Sequence, residues 1–178
     1  LVGCALDGVS VNLGCLSGVA VRLKSDNAEH LIIMHCFAHR LELAIKDVVK
    51  QNSYLATVDN FFENIFKFYK NSALNWSCLK ISGTALGVPV FKLVNVVGCR
   101  WLPHHERAVE AVLKMWVPLV THLQQVCISG TRVSKESAKS FLKTLKSPKF
   151  VMYLNFFSAY LKLLSALSKS LSGKSPHN

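Results

Sequence analysis

Two rhythms of apolar and polar positions run along this chain, and the change from one to the other divides it. Residues 2–6 and 31–35 are short apolar runs with no helical period, each closed by polar or turn-forming residues, and they read as buried β-strands. Between them, 18–24 has the length and pattern of a short helix, with Ser17 as its N-cap and Ser25-Asp26-Asn27 as its stop. From Phe37 to Lys50 the period becomes helical: Leu41, Leu43, Ala44, Val48 and Val49 are assigned to one face, and Arg40, Glu42, Lys46, Asp47 and Lys50 to the other. Strand, helix, strand, helix in this order predicts parallel pairing through a right-handed crossover.

Beyond residue 50 the pattern stays helical. An aromatic-rich helix is predicted over 58–69 and a shorter one over 73–81, broken by Ser82-Gly83 and Gly87-Val88-Pro89. Residues 90–97 are β-branched and extended in character. One long helix is predicted over 104–126, with Trp116 on its core side and a kink at Pro118, where the ring removes a backbone donor. Ser129-Gly130-Thr131 is a linker, two helices follow over 134–146 and 148–171, and 172–178 reads as a frayed polar tail. The expected fold is mainly α with a small two-stranded parallel β remnant.

Composition sharpens this picture. The chain has 178 residues, 51% hydrophobic and 17% charged, which excludes disorder and suits one domain or one and a fraction. The net charge of +11 is unevenly placed. Residues 1–72 hold seven Lys/Arg and seven Asp/Glu, whereas 73–178 hold fourteen Lys/Arg against Glu106, Glu110 and Glu136. The chain is therefore divided into 1–72 and a basic helical region, 73–178, and the asymmetry points to a polyanion partner or to a solvated lysine-rich face. Six cysteines without a Cys-x-x-Cys pair read as free thiols in a reducing compartment. The first residues read as a strand rather than a signal peptide, so a nuclear or cytoplasmic, unsecreted protein is expected. The stretch 150–167 is nearly long enough to span a bilayer. However, Asn155, Ser158, Lys162, Ser165 and Lys169 form one polar stripe, so a buried or partner-facing helix is expected and no membrane span.

Four features carry candidate chemistry. Asp7 follows an apolar run and precedes Gly8, the position of a strand-end carboxylate or of a plain turn. Cys36-Phe37-Ala38-His39 is half of a zinc motif with no partner half of diagnostic spacing. It also has the elements of a Cys–His nucleophile pair without an orienting acid, or of a packed pair that fixes a helix start. Arg100-Trp101 joins a cation for phosphate to a flat ring for stacking, or places a core anchor at the head of a helix. Arg132, Lys135, Lys139, Lys143, Lys146 and Lys149 recur at steps of 3, 4, 4, 3 and 3, opposed only by Glu136, and make a phosphate-contacting or a solvated face.

Three of these motifs, in this order and spacing, carry a resemblance: Leu6-Asp7-Gly8-Val9-Ser10-Val11, Met34-His35-Cys36-Phe37-Ala38-His39-Arg40-Leu41-Glu42-Leu43 and Cys99-Arg100-Trp101-Leu102-Pro103-His104. From residue 1 to about 170 the chain resembles hAT-superfamily transposases, particularly vertebrate proteins derived from them. The resemblance implies a partial RNase H-like α/β core, its fourth and fifth strands, followed by a helical insertion region. It makes Asp7 the equivalent of the second acid of a triad that holds Mg²⁺, with the other two acids lying before Leu1 and after Asn178. It places Cys36 and His39 beside Asp7, where His39 donates to a phosphate at a helix N-terminus, and gives Arg100 and Trp101 to nucleic acid, Trp101 stacking on a flipped base. With one acid of three, no cofactor is expected for this chain and Mg²⁺ only in a complete enzyme. The implied function is a catalytically inactive, domesticated transposase fragment with weak DNA binding through Lys135, Lys139, Lys143 and Lys146 as well. The alternatives are a protein-interaction or self-association remnant acting through 150–171, and a piece of a larger active DDE-type transposase.

Overall fold

The computed structural model describes residues 2–26, 30–98 and 100–172; Leu1, 27–29 with Asn27 of the predicted helix stop, Cys99 and the tail from residue 173 lie outside them. The fold is mainly helical with a two-stranded parallel sheet. The chain forms two compact units, Leu1–Val48 with Ala166–Asn178, and Val49–Ser165, so the charge boundary at 72/73 falls inside the second unit.

The first unit runs β1 (Gly3–Leu6), α1 (Ser10–Leu13), α2 (Val19–Ser25), β2 (Ile32–His35) and most of α3 (Phe37–Lys50). β1 and β2 pair in parallel, with Gly3 opposite Ile32 and Leu6 opposite His35, and Cys36 N donates to Leu6 O at 2.7 Å beyond the last pair. The strands are not buried as expected. Ile32 is 58% and Met34 47% exposed, because two strands offer too little surface for layers on both faces. α2 starts on Gly18, which supplies no side-chain cap, rather than on Ser17. The buried residue of α3 is Ile45; Leu43 and Val48, assigned to the apolar face, are exposed.

The second unit is helical: α4 (Ser53–Lys70), α5 (Ala73–Ala85), α6 (Trp101–Lys114), α7 (Trp116–Ser129), α8 (Arg132–Leu145) and α9 (Pro148–Leu171) as far as Ser165. α4 begins five residues before the aromatic run, because the Asn52 side chain accepts from the backbone N–H of Tyr54 and Leu55. α5 passes through Ser82-Gly83 without a break. A Cβ on Gly83 would lie 2.4 Å from Val90 Cγ2 and 2.8 Å from Val88 O, so the glycine there admits a close approach rather than a turn. The helix ends instead at Gly87, whose φ of 65° is left-handed, with Val88 N donating to Gly83 O and Gly87 N to Thr84 O. Residues 90–97 form no strand, although Leu93 and Val96 are buried.

The predicted 104–126 helix is two helices, α6 and α7, bent by 75° at Met115. Pro118 has no N–H for the Lys114 carbonyl four residues earlier, and the ladder breaks there. The apolar period continues across the break, with Val112, Met115, Leu119 and Leu123 all buried. α9 buries Phe150, Leu154, Phe157, Leu161 and Ser165, so Ser165 leaves the polar stripe to donate to Glu106 Oε2 at 2.5 Å. By length and composition α9 is long and apolar enough to cross a membrane, as is the bent α6–α7 pair taken together, with 28% of the α9 window buried.

Candidate functional site

Parallel pairing brings the first two motifs to one place, the carboxyl end of the sheet. Asp7 and Gly8 leave β1 where His35 and Cys36 leave β2, as the Leu6–His35 register requires. Asp7 is half-buried and its Oδ1 accepts from the Nδ2 of Asn12 on α1. The His35 ring lies against Gly8, where a Cβ would come within 2.6 Å of its Cε1, and its buried Nε2 has no hydrogen-bond partner. The His35 and His39 rings are tilted at 5.6 Å between centroids, one turn into α3. Cys36 is a half-buried free thiol. Among the described residues no group of three or more His, Cys, Asp or Glu is placed to hold a metal ion. Asn12 was not among the sequence candidates. Gly8 was visible only as a turn residue, and its contact with His35 depends on strand register.

The third motif divides. Arg100 is exposed at the N-cap of α6, with no side-chain cap bond, and Cys99 lies outside the described residues. Trp101 is only 7% exposed. Its ring stacks on His105 at 3.9 Å and meets Phe157 edge-on at 5.8 Å, so it sits as the core anchor of α6 and not on the surface that stacking with a flipped base requires. His105, 1% exposed, was missed in the sequence. Its Nδ1 lies 2.8 Å from Trp101 O and its Nε2 2.8 Å from Asp59 Oδ1, so both ring nitrogens have polar partners. The signal was available as an acid inside the aromatic helix, since a lone Asp there needs a partner. Trp116, expected in the core, is half-buried.

Arg132, Lys135, Lys139 and Lys143 of the basic set lie on α8, and Lys146 is its C-cap. Thr131 caps this helix by accepting from Ser134 N, and Ala138, Phe141, Leu142 and Leu145 turn inward. Lys139, Lys143 and Lys146 are exposed and Lys135 is half-buried, and none of the four has an ion-pair partner among the described residues. Glu136, the acid of this stretch, is engaged by Arg132 at 3.5 Å. Lys149 belongs to α9 and lies over the Tyr54 ring at 4.2 Å. A groove of about 460 Å³ runs between α4, the start of α5 and α8, and none of the four lysines lines it. Asn64, Asn71 and Asn75 line one side of it, and Ser134, Ser137 and Ser140 the other. Such neutral donors and acceptors suit a phosphodiester backbone.

Burial shapes the remaining titrations in this unit. The Tyr69 hydroxyl and His122 Nδ1 are 2.9 Å apart, and burial lowers the His122 pKa and raises that of Tyr69. Lys114 lowers the pKa of Glu110 through a side-chain bond and its charge. No protein-family model matches the chain, and no solved structure matches it significantly.

Proposed function

We propose that this chain is a transposase-derived fragment that binds nucleic acid through the basic face of its second unit and does not cut it. On this reading β1 and β2 correspond to the fourth and fifth strands of an RNase H-like sheet, and Asp7 to a strand-end acid. Two-metal phosphoryl transfer needs several carboxylates around the ions, and Asp7 here serves Asn12. Mg²⁺ belongs to the complete family enzyme, and the fragment acts without a cofactor, in the nucleus or cytoplasm.

The observation that carries the reading is the row of Lys135, Lys139, Lys143 and Lys146, without carboxylate partners among the described residues, on a unit with fifteen Lys/Arg against five Asp/Glu. The test is fluorescence anisotropy on labelled duplex DNA between about 50 and 200 mM salt, where four engaged lysines give a log–log slope of about −4. Replacing Lys139, Lys143 and Lys146 by Gln flattens the slope by about 2–3 units. No binding at low salt, or an unchanged slope in the triple variant, refutes the proposal.

A second reading rests on α9. Met152, Phe156, Tyr160 and Leu163 form an exposed apolar stripe at steps of 4, 4 and 3, with Phe156 and Tyr160 stacked. Leu163 is the most C-terminal residue of this stripe. The stripe supports self-association, which Leu163→Glu abolishes in sedimentation if the stripe is the interface; an unchanged oligomer discards this reading.

A further inference from the structure

The second unit also holds a cavity of about 680 Å³, lined by none of the lysines of the basic row and within the range of small-ligand sites. It lies between the end of α4, the start of α5 and the segment around Lys92 and Leu93. Its walls are aromatic and apolar, with Phe66 and Tyr69 from α4, Trp76 from α5 and Leu93 from the connecting segment. Two cations, Lys70 and Lys92, complete it, and no Asp or Glu lines it.

The chemistry of the lining is selective. Trp76 is half-buried, so the indole is held in place but part of it faces the cavity. The Tyr69 hydroxyl is directed at His122, leaving only the tyrosine ring for a ligand. Lys70 Nζ stands 5.4 Å from the Phe66 centroid, a cation held over an aromatic face. Lys92 is exposed and has no ion-pair partner among the described residues. The cavity therefore offers π-surface and positive charge, with no free side-chain amide or carboxylate to read the edge of a ring.

We infer that this cavity binds a nucleoside phosphate, with the base against the Trp76–Phe66 wall and the phosphate at Lys70 and Lys92. Stacking without edge recognition makes the site tolerant of base identity, with purines favoured by their larger face. The nucleotide has two possible sources, a free mononucleotide or an unpaired nucleotide in a strand, and both present the same ring and anion. The inference deepens the nucleic-acid reading and rests on residues that the duplex-binding face does not use.

The test uses the full chain, with AMP, adenosine and inorganic phosphate as probes read by tryptophan fluorescence and calorimetry. A labelled single strand of about twelve nucleotides and the matching duplex are read by anisotropy. AMP is expected to bind more tightly than either adenosine or phosphate and to quench Trp76. Trp76→Ala weakens AMP binding by about tenfold or more, the range of one stacking contact, whereas Trp76→Phe keeps the affinity within about threefold and loses the quench. Lys92→Glu, at an exposed position that leaves folding intact, weakens AMP by about fivefold or more. If the single strand competes at a lower nucleotide concentration than AMP, the source is a strand; if AMP is the tighter, it is a free nucleotide. No heat and no quench with AMP, or an AMP affinity unchanged in both Lys92→Glu and Trp76→Ala, overturns the inference. The cavity variants leave duplex affinity within about twofold, and the Lys139/Lys143/Lys146 variant leaves AMP affinity alone, so each proposal fails separately.

Discussion

Replacing Gly83 by Ala sets two effects of known sign against each other. Inside a helix, Ala in place of Gly gains about 1 kcal/mol. Gly83 is buried, however, and its new methyl would meet Val90 Cγ2 at 2.4 Å and the Val88 carbonyl at 2.8 Å, where carbon contacts settle at about 3.5–4 Å. The 88–90 segment has to retreat by about 1 Å. Overpacking of that kind costs about 1–3 kcal/mol. The retreat also loosens the 3.0 Å bond from Val88 N to Gly83 O that ends α5, another ~1 kcal/mol. The sum is a loss of about 2 kcal/mol, or about 5–10 °C in the melting of the Val49–Ser165 unit. Circular dichroism at 222 nm with urea and thermal melts measures it, with Ser77→Ala, at an exposed position of the same helix, as a control that gains a few tenths of a kcal/mol. Val90→Ala added to Gly83→Ala restores only part of the loss, because the Val88 carbonyl contact remains. A Gly83→Ala chain more stable than wild type would show that propensity wins and that the connecting segment does not press on α5. Because that segment carries Lys92 and Leu93, a destabilised Gly83→Ala should also weaken AMP at the cavity.

Four further outcomes are expected. The folded-state pKa of His122 lies below its ordinary 6.5, so the unfolded chain takes the proton first and stability falls as pH drops below about 6.5; His122→Asn should remove that part of the urea-midpoint loss between about pH 7.5 and 5.5. Tyr69 shifts the other way, its stabilising share present below the ordinary value of 10.0 and lost above it, so Tyr69→Phe should flatten the alkaline limb of the same titration. Asn52→Ala removes the acceptor for Tyr54 N and Leu55 N and should cost about 1 kcal/mol in the same melts. Incubation with labelled DNA and Mg²⁺ or Mn²⁺ should give no nicking; metal-dependent nicking that vanishes in Asp7→Ala would overturn the non-catalytic reading.

Elements whose boundaries are set locally were legible in the sequence, and those set by contacts were not. α3 and α9 start and end where the pattern places them: the strand ends at His35 before α3, and Pro148 opens α9 with no need for a free N–H. Parallel pairing followed from element order alone. Gly83 reads as a breaker because glycine usually is one, and only the distant Val90 makes it a packing residue. The α6–α7 bend was half legible. Pro118 announced a disruption, but Val112, Met115, Leu119 and Leu123 keep their spacing through it, so the apolar period cannot distinguish a kink from a 75° turn. The strands were over-buried for a related reason: an apolar run says what a strand would bury, not whether a layer exists to cover it.

The tryptophans show the same limit at the level of function. Trp101 stands in a motif and beside an arginine, where the resemblance implies stacking and the head of a helix suits a core anchor; the fold places it against His105 and Phe157. What decides is the neighbour one turn on. Buried, His105 needs polar partners for its ring nitrogens, finds them in the Trp101 carbonyl and Asp59, and fixes the indole by stacking beneath it. Trp76 lacks such a neighbour, and its ring is left on the wall of a cavity that holds two lysines and no acid. No period or spacing marks Lys70, Trp76 and Lys92 as a set, because they converge only when α4, α5 and the connecting segment meet. An aromatic chosen by motif and an aromatic chosen by exposure are here different residues, and a ligand can stack only on the exposed one. For any unpaired base bound by this unit, Trp76→Ala should therefore cost more affinity than Trp101→Ala, once each is compared at equal folded fraction.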